Sequence, residues 1–178
     1  MPYSLPLLDC ETGLAPAQGG VVQYSVSDDA IVVDFRLEEN CPNPKHYGYN
    51  EPLHEGDIVE ILLTLGDKKK YLEIEVNLNG ALYAAVITNR DGEGDFSIDF
   101  LSSHEVTYST SISGNIWSTH IELPISWLRT LGYQNNESWN LLREDYDNQG
   151  YMRLACVSPT YARSFHKIKA FLPINKGE

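Results

Sequence analysis

Two glutamates, Glu60 and Glu75, are the residues of this sequence best placed to do chemistry. Glu60 interrupts the apolar run "DIVEILLTLG" (57–66), and Glu75 lies in "YLEIEVN" (71–77), beyond the basic turn "DKKK" (67–70). If both runs are strands folded back on each other about that turn, the two glutamates become close neighbours across the pair. Carboxylates so placed repel unless something lies between them: a cation, an arginine, a shared proton or the hydroxyls of a sugar. A pair of acids flanking a bond at about 5–10 Å also does the work of a glycosidase. No other hydrolase signature accompanies them: GxSxG, HExxH and a phosphate-binding glycine loop are all missing.

The strand carrying Glu75 has two kinds of face, because successive strand side chains alternate. Leu72, Ile74 and Val76 point one way, toward a core. Tyr71, Glu73, Glu75 and Asn77 point the other way. Glu73 reads as a solvent-facing residue. Glu75 and Asn77 read as site residues, because the strand bearing Glu60 has an apolar composition on both faces and so is covered on both.

The same period recurs along the chain. "GVVQYSVS" (20–27), "AIVVDFRLE" (30–38), "FSIDFL" (96–101), "EVTYSTSI" (105–112) and "NIWSTHIEL" (115–123) read as strands, as do "SWNLLREDY" (138–146) and "YMRLACVSP" (151–159). Asn79-Gly80 predicts a two-residue hairpin turn. "PISWLRTLG" (124–132) predicts a short helix, with Pro at its start and Gly past its end. Hairpin after hairpin predicts an all-β chain: an antiparallel β-sandwich of about ten strands with one or two short helices, a closed barrel being the alternative. Ile74, Trp117 and Trp127 belong in its core. Polar sequence neighbours leave the places of Trp139 and Tyr161 open, and a sugar site is one use for such rings. The segment 38–57 is a long loop rich in Pro, Gly, Tyr and His, and its Tyr47–Tyr49 stretch could lie over a ligand.

Length and charge set the class. The 178 residues suit one domain, 1–178, large enough to bury a core without staples. A net charge of −12 argues against nucleic acid and against anionic membranes as partners. It is compatible with neutral ligands such as carbohydrate, or with cations. The oligomeric state leaves no mark in the sequence. Cys10, Cys41 and Cys156 form no disulfide framework or metal-type pairing. His46, His54, His104, His120 and His166 show no metal-ligand spacing. Asp91, Glu93 and Asp95 alternate in "RDGEGD" as oxygen ligands do at the start of a calcium loop, but the rest of such a loop is missing, so a solvated turn is the simpler reading. No cofactor is required by any motif; a structural calcium is permitted. The opening "MPYSLPLLDCE" lacks a signal peptide's basic region, which predicts a cytoplasmic chain, or a secreted one if a leader precedes it.

Four stretches, taken in order, resemble one family. They are "EGDIVEILLTLGDKKKYLEIEVNLNGAL", "IWSTHIELPISWL", "SWNLLRED" and "VSPTYARSFHKIKAF", spread over roughly 28–173. The chain is similar in them to the family 9 carbohydrate-binding modules and their family 9-like relatives. The resemblance implies a β-sandwich that binds the end of a glycan chain without cleaving it. It places the sugar-clamping positions at His54 and Phe165, where attached modules carry paired aromatic rings. It places the site carboxylate at Glu60, a second polar position at Glu75 and a basic one at Arg143. With Asn77, Tyr49 and Tyr161 these make up the expected ligand site. Catalysis by Glu60 and Glu75, or a partner-binding sandwich with a vestigial cleft, are the alternatives. Structural calcium is also what the family implies.

Overall fold

The computed structural model describes residues 2–174. Its strands are β1 (Tyr3–Pro6), β2 (Leu8–Asp9), β3 (Gly20–Val26), β4 (Ala30–Glu38), β5 (Ile58–Leu65), β6 (Asp67–Asn77), β7 (Leu82–Asn89), β8 (Phe96–Phe100), β9 (Thr107–Ser113), β10 (Ile116–Pro124), β11 (Ser138–Tyr146), β12 (Met152–Cys156) and β13 (Leu172–Pro173). One α-helix, α1 (Ile125–Thr130), follows β10, and short 3-10 turns occupy Leu53–Glu55 and Ile168–Ala170. The first sheet has the order β1-β3-β4-β10-β9. The second runs β2-β12-β11-β5-β6-β7-β8, with β13 beside β11. Every pairing is antiparallel. This is the expected sandwich rather than a barrel. Its additional strands are the short β1, β2 and β13.

The core forms where the alternation predicts. Ile31, Val33, Phe35 and Leu37 of β4 and Trp117, Ile121 and Leu123 of β10 meet Val59, Ile61 and Leu63 of β5 and Leu72, Ile74 and Val76 of β6. Trp117 is fully buried and its indole N–H donates to Thr110 Oγ1 at 2.8 Å. Trp139 is also core, its ring meeting that of Tyr24 edge-on at 4.7 Å between the sheets. Each such side chain contributes about 1.5–3 kcal/mol through burial. The second sheet is covered on its outer face too. A second apolar cluster there holds Leu53, Ile58, Leu62, Tyr71, Ala85, Leu142 and Phe171. That explains the near-continuous apolar sequence of β5, all of whose residues are buried.

Two turns differ from the sequence expectation. The β5–β6 turn is at Gly66, not over the lysines: Leu65 pairs with Asp67 after a register shift at Thr64/Leu65. Gly66 has φ +40, and a Cβ there would lie 2.8 Å from the Gly132 carbonyl oxygen, so only glycine fits. The β6–β7 hairpin is closed by the Asn77 N–H donating to Ala81 O at 3.3 Å, around a loop 78–80 with Gly80 at φ +77. It is thus one residue longer than the two-residue turn that Asn79-Gly80 suggested.

Candidate functional site

The outer face of the second sheet places the carboxylates. In the β5–β6 pair Glu60 stands directly opposite Glu75, as the folding-back of the two strands predicts. Glu73 lies on the same face two residues from Glu75, opposite Leu62. Glu144 of β11 is opposite Ile58 and joins the face from the other side of β5. Carboxylate oxygens of Glu60, Glu73 and Glu75 lie within 4.8 Å of one another. All four residues are buried, with exposures of 1%, 6%, 3% and 2% for Glu60, Glu73, Glu75 and Glu144.

A cleft of about 380 Å³ opens above them. Glu73, Glu75 and Glu144 line it, with Glu60 buried against the first two. Tyr83 and Ile87 of β7 and Phe96 and Ile98 of β8 line it as well, as do Tyr146, Met152, His54, Phe165 and His166. The segment 158–171 is laid across the sheet by buried amides. Asn140 Nδ2 donates to Ser158 O at 2.9 Å and Asn89 Nδ2 to His166 O at 2.7 Å. His166 Nδ1 meets the Tyr71 hydroxyl at 2.7 Å, and its ring lies 4.3 Å from Phe165 and 4.8 Å from Phe96. His54 is held at the other side by buried Leu53 and by the Tyr146 hydroxyl, which donates to His54 O at 2.7 Å.

The electrostatics of the floor are unusual. Both oxygens of Glu60, and one each of Glu73, Glu75 and Glu144, are buried without a hydrogen-bond partner. Among the described residues, the basic group within ion-pair distance of these four is His166, whose Nδ1 is 4.0 Å from Glu73 Oε2. Burial pushes the His166 pKa down to about 4, so its imidazole is neutral at pH 7 and offsets nothing. Burial, and then mutual repulsion, push the carboxylates up. Glu144 rises to about 8, with the Glu73 charge adding to its burial. Burial raises Glu73 to about 7, while a hydrogen bond with Glu75 acts in the opposite direction. Glu60 and Glu75 are both raised well above the usual carboxylate range by burial first and then by charged neighbours, of which Glu73 is the largest.

Four of the expected site residues come together here: His54, Glu75 and Phe165 line the cleft, and Glu60 lies at its floor. Arg143 does not join them, which corrects the expectation. On β11 Trp139 and Leu141 face the inter-sheet core, and Arg143 has the same parity. It is 1% exposed, donating from Nη2 to Glu39 Oε2 and from Nη1 to Glu38 O, both at 2.6 Å. The outward position belongs to the next residue, Glu144. Asn77 is on the right face but is fully engaged in structure. Its Nδ2 donates to the Lys45 and His46 carbonyls at 2.5 and 3.3 Å, and its Oδ1 accepts from Ala81 N at 3.0 Å. Tyr49 does not line the cleft; its hydroxyl donates to Leu101 O at 2.8 Å and its ring lies against His104. Tyr161, 73% exposed at φ +53, stands over Gly13 instead.

Glu73, read as a solvent residue, is instead part of the floor. Its parity with Glu75 was the available signal; the covering segment that buries it is not periodic and gave none. Met152, Tyr83, Phe96 and Tyr146 are further cleft residues missed from sequence. Asp91, Glu93 and Asp95 do not converge on a point that an ion could fill. Asp91 Oδ1 accepts from the backbone N–H groups of Glu93, Gly94 and Asp95, while Asp95 pairs with Arg90 and Glu93 with Lys167. A second concavity, of about 430 Å³, carries Lys68, Lys69, Arg90 and Lys169. None of the buried unpartnered atoms lies among its lining residues. No helix among the described residues is long and apolar enough to cross a membrane.

No known family profile matches the chain, and no curated protein matches it. Solved structures do. A presumed carbohydrate-binding protein from Bacteroides uniformis is 16% identical, with a TM-score of 0.72 over 96% of this chain and 84% of that one. A family 9 carbohydrate-binding module from Caldicellulosiruptor kristjanssonii in complex with cellotriose is 13% identical, with a TM-score of 0.67 over 97% and 82% of the two chains. The same organism's family 9 module in complex with glucose gives 11% identity and a TM-score of 0.66 over 97% and 84%. The chain therefore has the fold of the family 9 carbohydrate-binding modules.

Proposed function

We propose that the protein binds carbohydrate without cleaving it, holding the end of a glycan chain in the cleft above Glu73, Glu75 and Glu144. The observation that carries this reading is the combination of aromatic rings with buried carboxylate oxygens that have no protein partner. A pyranose offers an apolar face for Phe165, Tyr83 or Phe96 and hydroxyl donors for the glutamates. Those hydroxyls would give the orphaned oxygens the partners the protein withholds, and an unmade hydrogen bond in a buried site costs about 1–3 kcal/mol. About 380 Å³ is near the lower end of ligand-pocket sizes, which suits a terminal sugar better than a length of chain. The fold is the one that holds cellotriose and glucose in two of its structural neighbours.

Binding is favoured over hydrolysis by the placement of the acids. Glu60 and Glu75 rise side by side from paired strands, both on the same side of the cleft. A glycosidase needs its two acids on opposite sides of the scissile bond. Isothermal titration against gluco-, xylo- and manno-oligosaccharides tests the reading, with product analysis of the same mixtures. Binding without released sugar is expected. Turnover that disappears in Glu75→Gln would replace it with the enzyme reading.

A further inference from the structure

We propose that the floor of the cleft is a binding site for one hard divalent cation, calcium being the best match, with Glu60, Glu73 and Glu75 as ligands. Carboxylate oxygens of these residues all lie within 4.8 Å of one another. Calcium–oxygen bonds are about 2.3–2.6 Å long, so oxygens on opposite sides of one ion stand roughly that far apart. The three residues come from two paired strands whose register fixes them on one face, so the cluster is built into the sheet. Glu60 supplies the second, independent sign of a ligand. It is 1% exposed and neither of its oxygens has a partner within the protein.

The surroundings do not offer the missing positive charge. Glu144 approaches from β11 and adds a further carboxylate. Tyr83 from β7, Tyr71 from β6, Tyr146 from β11 and His54 from the 53–55 turn face the cluster, and none of them supplies a fixed cation. His166 from the covering segment already has its Nδ1 on the Tyr71 hydroxyl. Elsewhere this chain does pair its buried acids: Glu39 has Arg143, and Asp145 has Arg153 and Gln18. An all-oxygen, all-carboxylate set selects a hard ion over zinc or copper. Magnesium demands strict octahedral geometry and keeps its water, whereas calcium tolerates irregular sites. A calcium ion here would leave coordination positions open toward the cleft. This site is distinct from the acidic turn at Asp91, whose Oδ1 accepts from three backbone N–H groups.

Titration calorimetry with calcium chloride, and separately with manganese chloride, on chelator-treated protein is the test. One ion per chain is expected. Glu60→Gln and Glu73→Gln should each weaken it at least about tenfold, the loss seen even when a group that only orients a ligand is removed. Asp91→Asn should leave it unchanged. If Glu60→Gln does not fold, Glu73→Gln decides, supported by manganese broadening of wild-type amide signals. Broadening should centre on the strands bearing Glu60 and Glu75 and spare the 91–95 turn. No binding up to a few millimolar, the weak end for natural calcium modules, would overturn the proposal. So would binding that survives both glutamine substitutions.

Discussion

Arg143 and Glu144 are consecutive residues of one strand, both all but fully buried, and they live in opposite electrostatic worlds. Arg143 points between the sheets and finds Glu39, the Glu38 carbonyl and, at 3.6 Å, Asp145. Glu144 points outward and has one oxygen with no partner at all. The contrast extends to other carboxylates. Glu137 accepts from the Thr64 hydroxyl and from the Gly66 and Gln134 N–H groups at 2.8, 2.8 and 3.1 Å. Asp57 accepts from the Asn43 and Tyr146 N–H groups. Those acids are held as structure. Each of the four cleft glutamates keeps at least one buried oxygen without a partner, and that unmet demand is what a ligand can fill.

The largest effect separating the two regions should come from Arg143→Met. It leaves Glu39 buried without its counter-charge, and breaking a buried pair in this way costs about 3–5 kcal/mol. Glu144→Gln, one residue away, should cost little and should raise stability at pH 8. Urea denaturation of both variants checks this, and equal losses would break the comparison.

Next in size is a pH dependence peculiar to the cleft. Glu73 and Glu144 have folded-state pKa values of about 7 and about 8, above the ordinary 4.5 of the unfolded chain. The folded state therefore holds protons that the unfolded state has released, so stability must fall as pH rises. Between pH 6.5 and 8 Glu73 and Glu144 alone should cost on the order of 2 kcal/mol, at 1.36 kcal/mol per pH unit for each proton held, and Glu60 and Glu75, raised in the same direction, add to that loss. His166, lowered to about 4, acts only below this window, where it costs stability as pH falls from about 6.5. Denaturation in the presence of a chelator should show the slope, and the Glu73→Gln, Glu144→Gln double variant should make it shallower, the remainder coming from Glu60 and Glu75. No slope would mean that these groups are ionised in the folded protein without penalty, and a slope of the opposite sign that folding favours their ionised forms.

A smaller change should follow Phe165→Ala. Sugar affinity should fall about tenfold, or about 1.4 kcal/mol, while the inter-sheet core keeps its packing because Phe165 sits only on the outer face. Calorimetry on wild type and variant with the oligosaccharide that the wild type binds most tightly measures it. An unchanged affinity would move the stacking role to Tyr83 or Phe96.

The alternation of apolar residues made the sandwich, the β5–β6 hairpin and the Glu60–Glu75 pairing legible before any coordinates. The same alternation held the answer for Arg143: Trp139 and Leu141 share its parity, and Asn140, Leu142 and Glu144 do not. Adjacent Leu141 and Leu142 blur the period, because both faces of β11 are covered. Matching a motif placed Arg143 at the right position in the chain but on the wrong side of the sheet. The burial of Glu73, and the cleft walls from β8 and the 158–171 segment, come from contacts far apart in sequence, with no period of their own to announce them. Asn77 had the right parity, but its use as a clamp for the 45–46 loop depends on where that loop returns.

The central claim, that the outer-face cleft is the ligand site, is tested most directly by amide chemical-shift mapping. Isotope-labelled protein would be titrated with cellotriose, xylotriose and mannotriose. The account predicts saturable shifts clustered at Glu73, Glu75, Tyr83, Phe96, Glu144 and Phe165, abolished or weakened in Phe165→Ala. Shifts centred instead on the groove of Lys68, Arg90 and Lys169, or no shift with any of the sugars, would contradict it.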